Sequence, residues 1–199
     1  MLRLSSKTLI IESPPMRQID CSPFADWRIL GQTHTDCHSD AHTEWQTELS
    51  QRIGYKPRRI SQLAQMALLG VLQCLEKANQ PALSHDCAIR IITSYGTAKT
   101  TQTALTDLKN KEPILPFAFL QTQVSQILAA ISQTLHWQGE GQVFTAANES
   151  LLLQQLIATA PSSLLLIGWL DENMDAEMGC NEWVLLGKNR SLRVENDTI

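Results

Sequence analysis

The sequence predicts an α/β fold in which helices cover a mostly parallel sheet, with an antiparallel strand at the C-terminal end. Three observations lead to it. Short apolar runs such as Ala88–Thr93 (AIRIIT) and Ser163–Gly168 (SLLLIG) alternate with segments whose apolar residues recur every three or four positions. Pro and Gly punctuate the changes between the two patterns, as expected where elements end. Strands alternating with helices imply βαβ units, while the stretch between the last two strands, Asp171 to Asn181, has no helical stripe and implies an antiparallel pair.

Taken in order, Thr8–Glu12 (TLIIE) reads as a short opening strand, stopped by Pro14 and Pro15. The stretch from about Ser13 to Lys56 shows no clear periodicity and reads as irregular. From Ile60, the positions Leu63, Ala67, Leu68, Val71, Cys74, Leu75 and Ala78 form one apolar face of a helix that ends before Pro81. Ala88–Thr93 is rich in branched residues and reads as a buried strand, followed by a Thr-rich helix from Thr97 to Lys109. Pro113 and Pro116 mark a loop, and Val124, Ile127, Leu128, Ile131 and Leu135 resume a helical stripe up to the Gly139 and Gly141 pair. Gln142–Thr145 (QVFT) is a short strand. Asn148 suits the N-cap of a helix from Glu149 to Ala160, because its side chain can accept a bond from an unpaired backbone amide. Ser163–Gly168 and Trp183–Gly187 (WVLLG) complete the set of strands.

A chain of 199 residues, 43% hydrophobic and 18% charged, can bury one substantial core, so a single domain over 1–199 is expected, with 57–190 as its clearest part. Sixteen Lys plus Arg against 20 Asp plus Glu give a net charge of -4, which supplies no general field for nucleic acid. Seventeen Gln among the polar residues suit a modestly charged exterior able to accept a protein partner. The five cysteines are odd in number, irregularly spaced and without a CxxC pair, which points to reduced thiols in a cytoplasm. No run approaches the roughly 20 apolar residues of a membrane span, and the N-terminus lacks the apolar stretch of a secretory signal. There is no P-loop, no GxGxxG after a strand and no GxSxG elbow, so no cofactor is implied.

Three local groups could carry chemistry. His34, His38 and His42 fall four apart, with Cys37, Asp36 and Asp40 among them, and on a helix they would share one face able to ligate a metal. The segment has no apolar stripe to hold a rigid second shell, so a polar surface is the stronger reading and no metal is assigned. Lys56, Arg58 and Arg59 form the densest basic cluster, directly before a helix, where an acidic carrier protein or a phosphate could dock; a solvated helix entrance is the plainer alternative. Cys87 stands beside His85 and Asp86, yet neighbours at a strand entrance point in different directions, which favours a small apolar filler.

Three stretches carry a family resemblance: AIRIITSYGTAKTTQTALTDL, PILPFAFLQTQVSQILAAISQTL, and QGEGQVFTAANESLLLQQL followed by SSLLLIGWLDE. In order and spacing they resemble the N-terminal half of the β-ketoacyl synthases, which have the thiolase fold. The likeness covers about two thirds of the chain. It implies a layered thiolase-like half-fold, and it places the family's T-A-C-A-S-G turn on Thr145, Ala146, Ala147, Asn148, Glu149 and Ser150. Ala147 stands where the family has its nucleophilic cysteine. A methyl group cannot attack a thioester, Asn148 is not a nucleophile, and Ser150 would need a base that the sequence does not identify. The family's two histidines come from its C-terminal half, which finds no counterpart here; His136 reads as a helix-end residue.

The resemblance therefore implies a non-catalytic subunit similar to the chain length factors that accompany a full ketoacyl synthase in aryl polyene and other type II polyketide pathways. In that family the strand before the nucleophile turn pairs across a two-fold axis, and here it is Gln142, Val143, Phe144 and Thr145. Phe117, Phe119, Gln121, Gln123 and Gln126 would then lie towards the partner's acyl pocket. The implied partners are a full-length ketoacyl synthase and an acyl carrier protein, with a homodimer when the chain is alone. Two other expectations stay open: an acyltransferase or thioester hydrolase using Ser150 or Cys87, and a metal-binding module using His34, His38 and His42.

Overall fold

A computed structural model describes residues 17–19, 24, 26–35, 42–146, 149–172 and 180–189. The expected strand at Thr8–Glu12 lies outside them. Five strands form one sheet: β1 (Trp27–His34), β2 (Cys87–Thr93), β3 (Gly141–Thr145), β4 (Leu164–Asp171) and β5 (Cys180–Lys188). The six helices described are α1 (His42–Ile53), α2 (Gln62–Lys77), α3 (Ala98–Lys109), α4 (Pro116–Gln121), α5 (Gln126–Leu135) and α6 (Glu149–Ala158).

The strand order is β1-β5-β4-β2-β3. β2 runs parallel to β3 and β4 on either side, and β4 pairs antiparallel with β5, as the absence of a helical stripe between them implied. The α/β class is therefore as expected, and its antiparallel part is larger by one strand, because β1 adds antiparallel to the outer edge of β5. That strand and α1 both fall within 13–56, where the sequence shows no periodicity. Their signals are weak for physical reasons: a bulge between Ile29 and Gly31 breaks the alternation of β1, and α1 buries only Trp45 and Leu49 among its described side chains.

Alternation along the central strands feeds two cores. Ile89, Ile91, Leu166, Leu170 and Leu185 face α1, α2 and α5, while Ala88, Ile92, Leu165, Ile167 and Leu186 face the Leu156 and Ile157 side of α6. α2 is buried along most of its length, and its N-terminus is closed by Ser61, whose hydroxyl accepts the Ala64 N–H at 3.1 Å. α5 ends at His136, an exposed residue in the left-handed region with φ 53, which fits its reading as a helix-end histidine. The Pro113–Pro116 stretch is not all loop: Pro116 opens α4, since a proline at the first helical position forfeits only an N–H that would have no helical partner. Among the described residues no helix is long and apolar enough to cross a membrane.

Candidate functional site

Parallel strands of an open α/β sheet present their carboxyl ends to ligands, and here those ends are Thr93, Thr145 and Asp171. The turn after β2 is locked there by a carboxylate. Asp171 Oδ1 accepts the Thr93 hydroxyl at 2.6 Å and the backbone N–H groups of Ser94, Tyr95 and Gly96 at 3.0, 2.6 and 2.8 Å. Gly96 has φ 57, a backbone state in which successive amides can converge on one anion. The next residue, Glu172, accepts the N–H and hydroxyl of Thr100 at 2.8 and 2.7 Å, placing a second negative charge at the positive end of α3.

On the α6 side of the sheet, Arg17 reaches Glu149 at 3.1 Å and Glu182 at 3.4 Å, and stacks over the Trp169 ring at 5.4 Å. His34 Nδ1 sits 3.2 Å from the other oxygen of Glu182, a residue only 4% exposed. This buried acid ties β5 to β1 and, through Arg17, to the first turn of α6. None of these side chains reaches Ser150 by a hydrogen bond. Ser150 is exposed on α6 and has no basic partner among the described residues. Ala147 and Asn148 lie outside the described residues, so the alanine in the cysteine's place is a sequence observation only.

Cys87 is buried rather than presented to a substrate. It is 1% exposed, its thiol donates to the Ala88 carbonyl at 3.6 Å, and burial pushes its pKa up to about 12, so its thiolate is scarce at neutral pH. His85 and Asp86 are exposed beside it and make no bond to its sulfur. The shared helical face for His34, His38 and His42 is also absent, because His34 ends β1 whereas His42 opens α1; His38 lies outside the described residues. Among the described residues no group of three metal-ligating side chains occurs.

Among the described residues β3 is an edge strand. Gln142 and Thr145 are exposed, while Val143 and Phe144 are half-buried against opposite cores. Lys56, Arg58 and Arg59 are exposed before α2, and Arg59 holds a left-handed backbone with φ 62. On α4, Phe117 and Phe119 are 40% and 56% exposed, and none of that helix's residues is buried.

Two sets that the sequence keeps apart meet in space. Phe117, Gln121 and Gln126 join Arg59 around a groove of about 200 Å³ between the start of α2, α4 and α5; Phe119 and Gln123 do not line it, nor do Lys56 and Arg58. α2, β2 and α3 separate residue 59 from residue 117 in sequence, so only the packing of α5 on α2 reveals the pairing.

No protein-family model matches the sequence, and no curated protein matches it. Solved structures do. The ketosynthase ApeO in complex with its chain length factor ApeC from Xenorhabdus doucetiae is similar at 15% identity and a TM-score of 0.53, over 66% of this chain and 59% of that one. The ishigamide ketosynthase/chain length factor is similar at 13% identity and 0.57, over 73% of this chain and 49% of that one. The type II polyketide acyl-carrier protein and ketosynthase complex AntDE:AntF, bound to the hexaketide, is similar at 9% identity and 0.56, over 82% and 62%. The chain thus spans between half and two thirds of the length of the chains it matches. At these identities the likeness is one of architecture, and over its described residues the chain has the layered α/β fold of the ketosynthase and chain-length-factor structures.

Proposed function

We propose that this chain is a non-catalytic, chain-length-factor-like subunit that pairs with a full ketosynthase and helps shape its acyl pocket in fatty acid or polyketide biosynthesis, aryl polyene pathways included. The observation that carries this reading is the edge of β3, which no other strand among the described residues covers. Its five residues, GQVFT, contain no charge and no proline, and they pair with β2 without a register shift. Such an edge is a template for another strand. The opposite edge of the sheet is guarded, since β1 carries a bulge and an exposed Arg28, with Lys188 over the Trp27 ring at 4.9 Å. One edge resists strand addition and the other invites it.

The solved neighbours include ketosynthases in complex with chain length factors and with an acyl carrier protein, which supports a partner of that class. The missing thiol at Ala147, the buried Cys87 and a Ser150 with no basic partner among the described residues support a subunit without condensation activity of its own. The exposed α4, with Phe117, Phe119 and Gln121, would face the partner's acyl pocket together with Gln123 and Gln126. Lys56, Arg58 and Arg59, exposed before α2, would serve as a docking point for an acidic carrier protein.

Co-expression with a ketosynthase encoded beside this chain tests the reading. The expected result is a heterodimer that survives size exclusion at micromolar concentration and makes products whose chain length changes on Phe117→Ala. Two proteins eluting separately, or thioester turnover by this chain alone that Ser150→Ala abolishes, would overturn it.

A further inference from the structure

A second cleft lies at the other end of α2, where the chain leaves that helix for β2. Leu72 and Leu75 of α2, Leu135 of α5 and Leu83 of the connecting loop form its apolar wall, with Arg52, Glu76 and Gln80 around them. α2 has 16 residues and rises about 24 Å at ~1.5 Å per residue, so this cleft is well separated from the groove at Arg59. It lies towards the amino ends of the parallel strands, since the loop that carries Leu83 leads into β2 at Cys87, and away from Thr93, Thr145 and Asp171.

Three helices end here. Glu48 of α1 meets Gln73 of α2 at 3.0 Å and Arg52 meets Glu76 at 3.0 Å, so the two helices run side by side in the same direction. α5 runs the same way along α2: Gln126 at its start borders the Arg59 groove with Ala64, and Leu135 at its end borders this cleft with Leu72 and Leu75. All three therefore bring their C-terminal ends, which carry partial negative charge, to one place.

The side chains add to that charge. Arg52 is held by two carboxylates, Glu48 at 2.8 Å and Glu76 at 3.0 Å, which leaves one negative charge in excess across the three. Lys77, the basic residue in the last turn of α2, does not line the cleft, and α5 has no basic residue in its last turn. The Glu76 side chain is 66% exposed and stands at the rim. A cation is the complementary ligand, whereas an anion would meet like charge.

Size and wall narrow the class further. The cleft holds about 430 Å³, within the ~300–1,000 Å³ of pockets that take small organic molecules. An inorganic cation would leave the four leucines wet, while an alkyl chain would cover them and release water. Among the described residues no aromatic ring lines the cleft, so the ring faces that recognise a quaternary ammonium are missing. An ammonium with N–H groups to donate to Glu76 fits instead.

We infer that this cleft binds a primary aliphatic ammonium ion, with its N–H groups on the Glu76 carboxylate and its chain against Leu75, Leu83 and Leu135. The inference rests neither on pairing with a synthase nor on any residue placed above at the acyl pocket or the carrier-docking cluster.

Calorimetric titration of the full chain at neutral pH with octylammonium tests it, with octanol as the uncharged probe and octanoate as the charge-reversed one. Saturable binding of octylammonium is expected, about tenfold or more tighter than that of octanol, as a charge-assisted hydrogen bond implies. Excess octanoate should not displace it. Glu76→Gln removes the charge from an exposed position and weakens binding by about fivefold or more, since a neutral amide oxygen still accepts a weaker bond. Ala82→Phe, from an exposed loop position on the cleft wall, fills the space and abolishes binding. No saturable binding of octylammonium, equal binding of octanol, displacement by octanoate, or indifference to either variant would each overturn the assignment.

Discussion

The carboxylate of Asp171 accepts the backbone N–H of Gly96 at 2.8 Å, joining the last residue of β4 to the turn that follows β2. The same oxygen collects Ser94 and Tyr95, so one side chain satisfies three consecutive amides that no strand or helix could pair. Asp171→Asn keeps the shape and removes the charge. Hydrogen bonds to a charged group contribute about 1.5–3 kcal/mol, and a loss of stability of that order is expected in chemical denaturation. A change within about 0.5 kcal/mol would show that the turn holds without the latch.

The phase of the β2–β3 ladder is set by two bonds, Ile89 N–H to the Glu140 carbonyl and Ala146 N–H to the Thr93 carbonyl. Alternation then turns the N–H groups of Val143 and Thr145 outward. Thr145→Pro removes one outward donor from an exposed position without touching the ladder. The expected outcome is heterodimer formation weakened by roughly fivefold, equivalent to one backbone hydrogen bond at ~1 kcal/mol. Stability of the isolated chain should change by less than about 1 kcal/mol. Unaltered association by analytical ultracentrifugation would remove β3 from the interface.

Burial pushes the thiols of Cys74 and Cys87 from about 9 up to about 12. Both are raised in the folded state, so the stability they contribute is complete below pH 9 and is lost as pH rises towards 12. The slope is at most about 1.4 kcal/mol per pH unit for each thiol. Denaturation midpoints at pH 8, 10 and 11 should fall more steeply for the native chain than for the Cys74→Ala, Cys87→Ala variant. Equal slopes would refute the assignment of the alkaline loss to these two groups.

Gly31 and Gly70 mark where α2 is pressed against the sheet. A Cβ on Gly31 would lie 2.6 Å from the Cys74 carbonyl oxygen, and one on Gly70 would strike the Trp183 ring. Backbone cannot yield as a flexible side chain can. Gly31→Ala is therefore expected to destabilise the fold by about 1–3 kcal/mol, the usual cost of overpacking. A thermal midpoint unchanged from the native chain would contradict this close approach.

Elements with a strong local signature are legible in the sequence. α2, α5, β2 and β4 each show an uninterrupted period or a dense branched run, because the helices face one core along their length and the strands are covered by a core on each face. The elements that the periodicity misses lack that uniform environment. α1 is anchored by Trp45 and Leu49, β1 is bent by its bulge, and α4 buries nothing and hides behind a proline that begins a helix as readily as it breaks one. Of the candidate site, the sequence identifies β3 and the residues of α4 and α5 but sets Arg59 in a separate basic cluster.

Composition, periodicity and the order of elements determined the α/β class and the antiparallel close of the sheet, and the resemblance to the ketoacyl synthases alone set Ala147 where that family has its cysteine. These are local properties, legible along the chain itself. Only the tertiary structure decided that β3 lies at the edge of the sheet among the described residues, that Asp171 holds the turn after β2, and that Arg59 meets Phe117 across one groove. Each depends on residues far apart in sequence, whose approach is set by strand order and by how α2 and α5 pack on the sheet.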